Sequence, residues 1–316
     1  MLSAGDTLLQ DATAGDPISG LKWTHKSLRK LGRTLGKRYP LSVPTLSRVL
    51  RLAGYSLRVN RKRLAGRQSP GRDEQFRYIA RLRQRFLRQK RPVISVDTKK
   101  KAWIGNCRNS GRAWRREPRD VNMYDFPAQA LGRAIPYGIY EVSRNRGYVS
   151  VGRSHDTPEF AVASIRAWWV VVGRKASRGH PHLLITADCG GSNGHRSLRW
   201  KTSLQQVADE SGLSIPVTHY PPGASKWNPI EHRMFSLISA NWAGHPLDSY
   251  ETLLNHMRTT RSSTGFRCHA RLDTHRYATR LRMSPEEVVR LRGRPHKLFP
   301  HWNYTIFPHI PKSDTK

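Results

Sequence analysis

Two short apolar runs that end in aspartate constrain the fold of this chain more than any other feature. VISVD (93–97) and HLLITAD (182–188) are rich in β-formers, and they close on Asp97 and Asp188. A third apolar run, SIPVTHY (214–220), follows a further predicted helix. Strands that alternate with helices are typical of an α/β-type sheet, in which the carboxyl ends of parallel strands share one edge.

The residues around these runs predict that the sheet is mixed. KAWIGNC (101–107) is expected to pair antiparallel with VISVD, and YEVSRNRGYVSVGR (140–153) predicts a hairpin that turns near Asn145. Helices are predicted after Thr157 and over about 198–210, whereas residues 108–138 show no clear period. We therefore expect an α/β fold with a mixed sheet flanked by helices.

The stretch YPPGASKWNPIEHRMFS (220–236) places a third acid, Glu231, on an apolar helix face. Asn228 is predicted to cap this helix and Pro229 to begin it. At 3.6 residues per turn Glu231 lines up with three apolar side chains. They are Phe235, Ile238 and Trp242. Glu231 also occupies a capping-box position. It is therefore either a functional acid that faces the protein interior or a capping residue, and both interpretations stay open.

The three acids suggest a chemical role if their segments share one sheet edge. Three carboxylates brought close together repel one another unless a cation holds them. Hard oxygen ligands suit Mg²⁺, and two such ions can activate a water or a 3′-hydroxyl and stabilise the leaving oxygen at phosphorus. Taken singly, however, each aspartate is also a common turn or cap residue.

The net charge indicates a polyanionic partner. Lys and Arg number 56 against 22 Asp and Glu, a formal net charge of +34, and a field of that size attracts nucleic acid. The chain has no run of ~18 apolar residues and no signal peptide, so we expect a soluble cytoplasmic protein with no membrane partner. Cys107, Cys189 and Cys268 lack CxxC spacing and predict neither a disulfide framework nor a zinc site.

The basic N-terminal block predicts a DNA-binding segment. One helix is expected over about 24–36 and a second over about 43–53, with Ser42 as its cap and Gly54 as its stop. Two short helices joined by a tight turn are typical of a helix-turn-helix reader. The side chains expected to contact DNA are Thr45, Ser47, Arg48 and Arg51. The alternative is a small helical pair with a solvated basic face.

Further candidates lie close to the acids. Lys226 and Arg233 flank Glu231 and are predicted to contact DNA, although a solvated surface explains them equally well. The segment CGGSNG (189–194) matches neither phosphate-binding glycine pattern. We interpret it as a loop beside Asp188.

Five longer motifs resemble one enzyme family. They are VISVDTKKK, DFPAQALGRAIPYGIYEV, LLITADCGGSNG, PPGASKWNPIEHRMFS and HWNYTIFP. They resemble the DDE transposases of bacterial insertion sequences, specifically the Rhodopirellula-type (ISAzo-type) group, from roughly residue 20 to 308, and NPIE is similar to a segment of mariner-like transposases. The resemblance implies an RNase H-like fold, a metal-binding catalytic triad of Asp97, Asp188 and Glu231, and the cutting and joining of DNA at the ends of a mobile element.

The chain departs from the pattern of this family near two of the acids. Relatives usually carry Glu where this chain has Ala102, and Gly where it has Cys189. They also tend to carry more sequence before LKWTHKSLRKL, which predicts that an N-terminal helical piece is missing. Neither Ala102 nor Cys189 replaces an acid of the triad.

The predicted organisation comprises five segments. They are a loose leader (1–20), a helix-turn-helix segment with a basic linker (21–70), a basic connecting helix (71–91), an RNase H-like catalytic domain (92–243), and a helical and basic extension (244–316).

The resemblance also implies cofactors and partners. We expect a transposase that uses Mg²⁺, or Mn²⁺, and binds double-stranded DNA, both the element's terminal repeats and its target. It is expected to act as a homo-oligomer on DNA, associated with the bacterial nucleoid. The alternatives are a non-catalytic DNA-binding protein derived from a decayed transposase, and an RNase H-like metal-dependent nuclease.

Overall fold

The chain divides into two compact units, Met1–Leu64 and Ala65–Lys316. The computed structural model describes part of the first unit and nearly all of the second. The described residues are 14–15, 22–23, 27–36, 40–56, 70–177, 180–279, 281 and 283–309.

The first unit contains both helices that the sequence predicts. α1 spans Leu28–Gly36 and α2 spans Val43–Leu52. The expected start of the first helix, 24–26, and the turn residues 37–39 lie outside the described residues. The helix-turn-helix arrangement therefore stays a prediction.

Local contacts define the ends of α2. The Ser42 hydroxyl accepts a hydrogen bond from the Thr45 backbone N–H at 3.3 Å, which makes it the predicted cap. Gly54 follows the helix at a φ of +83°, a left-handed conformation that favours glycine. A two-residue ladder between Ala14–Gly15 and Lys22–Trp23 completes the described part of this unit.

The second unit begins with the predicted amphipathic basic helix, α3, which spans Arg72–Arg88. Leu82 and Phe86 on its apolar face belong to a buried cluster with two sheet residues. Gln75 is fully buried and donates to Asn303 Oδ1 at 2.8 Å. These contacts hold α3 firmly against the body of the second unit.

Nine strands among the described residues form one mixed sheet. In chain order they are β1 Val93–Thr98, β2 Ala102–Ile104, β3 Gly132–Glu141, β4 Arg146–Gly152, β5 Leu184–Ala187, β6 Ile215–His219, β7 Arg267–Asp273, β8 Gly293–Pro295 and β9 Asn303–Ile306. The order across the sheet is β8-β9-β6-β5-β1-β3-β4-β7, and β2 pairs with β3.

The directions of the central strands identify the fold. β1 pairs antiparallel with β3, which pairs antiparallel with β4. On its other side β1 pairs parallel with β5, which pairs parallel with β6. Three antiparallel strands followed by two parallel ones, with β1 in the middle, are the RNase H-like arrangement. The predicted mixed α/β fold class is confirmed.

Helices pack against the sheet through two main core clusters. Apart from a single turn at Arg174–Ala176, the α-helices that follow α3 are α4 Pro158–Trp168, α5 Leu198–Ser211, α6 Ser236–Asn241, α7 Tyr250–Arg258 and α8 Pro285–Val289. One cluster joins Ile94 and Val96 of β1 to Phe160 of α4 and Trp200 of α5. The other joins β3 and β4 to α6 and α7. None of the helices in the described part of the chain is long and apolar enough to cross a membrane.

Three details of the sheet differ from the expectations. KAWIGNC supplies β2, which pairs with β3 and not with VISVD. Residues 132–138, expected to be irregular, form the first part of β3. The C-terminal extension adds β7, β8 and β9, where no strand was predicted. Apart from the β8–β9 pair, these pairings join residues far apart in the chain, and local β-propensity does not reveal them.

Candidate active site

Asp97 and Asp188 lie side by side at one edge of the sheet. Their strands, β1 and β5, are parallel neighbours whose last paired residues are Val96 and Ala187. Each aspartate is the next residue along its strand or just beyond it, so both carboxylates leave the sheet at its carboxyl edge. This is the edge at which α/β proteins collect functional groups.

Glu231 is brought to this edge by side-chain bonds between its helix and β1. The Ser95 hydroxyl accepts from the Ile230 backbone N–H at 3.1 Å and donates to Asn228 Oδ1. Asn228 Nδ2 in turn donates to the Val96 carbonyl at 3.1 Å. Since Ser95 precedes Asp97 by two positions on the same strand face, the bonds that hold the helix also place Glu231 near Asp97.

The prediction that the Asn228 side chain caps this helix is wrong. A five-residue π-helical turn, Glu231–Phe235, leads into α6, and no side chain caps the start of this turn. π turns are rare and occur often at functional sites. Phe235 and Ile238 are buried as expected, whereas Glu231 is half-buried at the rim of the apolar face.

A glycine allows the helix to approach the sheet this closely. Gly138 of β3 pairs directly with Asp97. A Cβ atom at this position would lie 2.5 Å from Phe235 Cε1 and 2.9 Å from Ile230 Cδ1. Both distances are shorter than van der Waals contact, so a side chain here would push the helix away from the sheet.

We expect Gly138→Ala to destabilise the protein by about 1–3 kcal/mol, the usual cost of overpacking a core. The measurement is urea unfolding of wild type and variant. Gly293→Ala is the matched control, because a Cβ at Gly293 would meet its nearest atom, Ile306 Cδ1, at an ordinary 3.5 Å. Equal stability of the two variants would contradict the packing argument.

Burial dominates the electrostatics of the acids, and repulsion between them adds to its effect on the aspartates. Asp97 is 8% exposed. Burial, followed by the charge of Asp188, raises the pKa of Asp97 to about 8, against the opposing hydrogen bond from the Thr98 N–H. Glu231 raises the pKa of Asp97 further. A buried acid among other acids binds its proton tightly, because ionisation adds like charge to a poorly solvated site.

The pKa values of the other two acids are also raised. Burial raises the pKa of Asp188 to about 6, although hydrogen bonds from the Gly190 N–H and the Asn193 amide favour its ionised form. Burial also raises the pKa of Glu231, and the charge of Lys99 lowers it. The three carboxylates therefore form one electrostatically linked group.

The donor set fits a hard divalent cation. Two aspartates and one glutamate supply only oxygen ligands, as Mg²⁺ and Mn²⁺ prefer, and a cation would offset the repulsion that raises their pKa values. As the side chains stand, no group of three or more His, Cys, Asp or Glu residues within the described ranges is placed to hold a metal ion.

Comparison with known proteins identifies the family. The chain matches the family described as the Rhodopirellula transposase DDE domain over residues 5–308. The chain belongs to this family. It is therefore a DDE-type transposase, as the motifs indicated.

Solved structures of the Mos1 transposase resemble the fold more distantly. The pre-cleavage Mos1 transpososome is 14% identical, with a TM-score of 0.44 over 80% of this chain and 74% of that one. The Mos1 strand transfer complex is 13% identical, with a TM-score of 0.42 over 80% and 73%. The Mos1 mariner paired-end complex with Mn is 14% identical, with a TM-score of 0.40 over 79% and 68%. No curated protein matches the sequence significantly.

The predicted DNA contacts of the transposase lie in two places. Arg48 and Arg51 are exposed on α2 in the first unit, where Thr45 and Ser47 are half-buried. In the second unit Lys226 and Arg233 are exposed on either side of Glu231. The Lys226 ammonium lies 5.5 Å from the ring centroid of Trp227, itself 55% exposed.

A cleft opens beside Asp188. It has a volume of about 610 Å³ and is lined by residues within 188–197 and 221–225. Arg196 contributes a cation to this lining. Behind Asp188 in the core, the fully buried His219 has its Nδ1 2.7 Å from the Asp188 carbonyl oxygen. Burial lowers the pKa of His219 to about 3, so this imidazole is neutral and its Nδ1–H donates to the carbonyl.

Sequence reasoning missed Lys99, a buried lysine beside Glu231. Lys99 is 9% exposed, and its Nζ donates to Ser239 Oγ at 2.5 Å. The ammonium lies 5.6 Å and 5.1 Å from the ring centroids of Phe235 and Trp242. Burial lowers the pKa of Lys99, and the charge of Glu231 opposes this shift. Within the run DTKKK nothing distinguishes Lys99 from the lysines beside it, so only the packing reveals its position.

Proposed function

We propose that this transposase cuts and joins the ends of a bacterial insertion sequence, with Asp97, Asp188 and Glu231 as its metal ligands. The observation that carries the proposal is the emergence of Asp97 and Asp188 from neighbouring parallel strands at one sheet edge. Glu231 supports it, because its charge raises the pKa of both aspartates. Structural turn residues have no need of such a costly arrangement.

In this proposal the three acids approach the metal from two parts of the fold. Asp97 and Asp188 would supply oxygens from the carboxyl ends of β1 and β5, and Glu231 would supply its oxygens from the helix that β1 anchors. Bound Mg²⁺ or Mn²⁺ would supply activation of the attacking water or 3′-hydroxyl and stabilisation of the leaving oxygen. Lys99 lowers the pKa of Glu231 and so favours its ionised form.

The basic surfaces are proposed to hold the DNA. Lys226 and Arg233 flank the acids and would contact the backbone near the scissile phosphate. Thr45, Ser47, Arg48 and Arg51 would contact the terminal repeats from the first unit. With a net charge of +34, DNA binding should weaken steeply as salt concentration rises, because phosphate contacts release counterions. Paired ends would call for a homo-oligomer.

Strand cleavage and joining by the purified protein test this function. Labelled element ends and an unlabelled target duplex are incubated with protein and Mg²⁺, and the products are separated on a denaturing gel. We expect cleaved ends that become joined to target DNA. Cleavage without joining would indicate an RNase H-like nuclease instead. A shifted but intact probe would indicate a non-catalytic DNA-binding protein.

A further inference from the structure

A partly buried polar network lies beside the two aspartates and has no part in the function described so far. The Thr98 hydroxyl donates to Asp156 Oδ1 at 3.0 Å and lies 3.2 Å from Ser192 Oγ. The Ser192 hydroxyl also lies 3.5 Å from Asn193 Oδ1, so its one hydrogen serves either Thr98 or Asn193. The network thus joins the end of β1, the loop before α4, and the turn that follows β5.

The same turn holds the carboxylate of Asp188. Asn193 Nδ2 donates to Asp188 Oδ1 at 2.8 Å, and the Gly190 backbone N–H also bonds to this side chain. Asn193 is 1% exposed and Ser192 is 3% exposed. Two donors from the same turn restrict the rotation of this carboxylate.

Thr98 also holds the carboxylate of Asp97. Its backbone N–H donates to Asp97 Oδ1 at 2.7 Å, while its hydroxyl belongs to the network. Asp156 is held in turn by Lys101, whose Nζ lies 3.6 Å from Asp156 Oδ2. A single connected set of bonds therefore runs from Asp156 to the end of β1 and on to the turn that orients Asp188.

We propose that Thr98, Asn193 and Asp156 are positioning residues that orient the Asp97 and Asp188 carboxylates for a shared divalent cation. The inference rests on the proposed function, because it takes the two aspartates as metal ligands. Residues that hydrogen-bond to metal ligands commonly change metal affinity by 10–100-fold when they are removed. A network with a purely structural role would instead change only the stability of the fold.

Thr98 offers the sharpest test, because two substitutions separate its hydroxyl from its volume. Thr98→Val keeps the shape and removes the hydroxyl, whereas Thr98→Ser keeps the hydroxyl. Thr186→Val is the matched control: Thr186 is buried in the neighbouring strand β5, and its hydroxyl donates to the Ile94 carbonyl at 3.2 Å rather than to the network. Asn193→Ala tests the other end of the network.

Metal binding is measured in the full-length protein without DNA, by the rise in melting temperature as Mn²⁺ is titrated. The Mn²⁺ concentration at half-maximal cleavage of labelled DNA is measured in parallel. We expect Thr98→Val and Asn193→Ala to raise both half-saturation concentrations by about tenfold or more, with DNA affinity unchanged. Thr98→Ser and Thr186→Val should remain within about twofold of wild type on the same scale.

The outcomes separate this inference from the proposed function. If Thr98→Val binds Mn²⁺ as tightly as Thr186→Val, the network is structural only and the inference is wrong. If Asn193→Ala fails to fold, the comparison of Mn²⁺ affinity between Thr98→Val and Thr98→Ser still shows whether the network positions the metal ligands. An Asp188→Asn protein that keeps the full Mn²⁺ response and the cleavage activity would instead overturn the proposed function itself.

Discussion

Asp188→Asn is expected to reduce DNA strand cleavage and joining by about a thousandfold or more, equivalent to ~4 kcal/mol of transition-state stabilisation. The substitution keeps the shape of the side chain and an oxygen that can still accept from Asn193. It removes the negative charge that a divalent cation requires of its ligand. Because the chemistry is proposed to depend on that cation, a neutral amide at position 188 should leave DNA binding intact and abolish catalysis.

The measurement is single-turnover cleavage of labelled ends, with DNA affinity determined by gel shift on the same preparations. Asp120→Asn provides the matched control, because Asp120 is an exposed acid in the irregular segment before β3. The control should cleave at the wild-type rate. Undiminished cleavage by Asp188→Asn would show that the proposed metal site is wrong, and weakened DNA binding would point to a loss of folding.

Asp97→Asn is expected to remove a loss of stability that the metal-free wild type suffers between pH 6.5 and 8, about 2 kcal/mol in the free energy of unfolding. The folded-state pKa of Asp97 is raised to about 8, above its unfolded value of about 3.9. Its contribution to stability is therefore complete below about pH 4 and is lost as pH rises through 8. Asparagine resembles the protonated acid and carries no such penalty.

Thermal unfolding in EDTA between pH 6.5 and 8 measures this effect. Wild type should lose about 4–8 °C in melting temperature relative to Asp97→Asn over this range, and adding Mn²⁺ at pH 8 should recover it. His219, whose folded pKa is about 3, is present in both proteins, so its effect on stability cancels in the comparison. Asp248→Asn is the control: hydrogen bonds from Thr252 and Arg119 lower the pKa of Asp248, so it does not titrate in this window. Parallel pH curves for wild type and Asp97→Asn would contradict the prediction.

Much of the fold followed from local pattern. The strands around VISVD and HLLITAD are present, and the helices after Thr157 and over about 198–210 begin at Pro158 and Leu198. Each of these segments combines a strong apolar period with a recognisable cap or stop. Strands β7, β8 and β9 were not predicted, because they are short or polar. β7 and β9 also depend on pairing with distant strands, and β8 pairs with β9 at the end of the sheet.

The candidate site shows the same division at the level of single residues. Asp97 and Asp188 were predicted because strand-end acids stand out against apolar runs. Asn228 was predicted as a helix cap, but its side chain binds β1, because a buried amide near an open strand carbonyl finds a partner there. Asp156 and Asn193 were missed, since an acid before a helix and an asparagine in a glycine-rich turn have ordinary local explanations.

The sequence by itself determined the acids, the strands that carry two of them, the basic charge and the family. These features depend on composition and short-range periodicity, which the chain displays without folding. Only the tertiary structure decided that β1 anchors the Glu231 helix, that Gly138 admits it, and that Thr98 and Asn193 hold the aspartates. Those relations are contacts between segments remote along the chain, and they exist only once the sheet has brought the segments together.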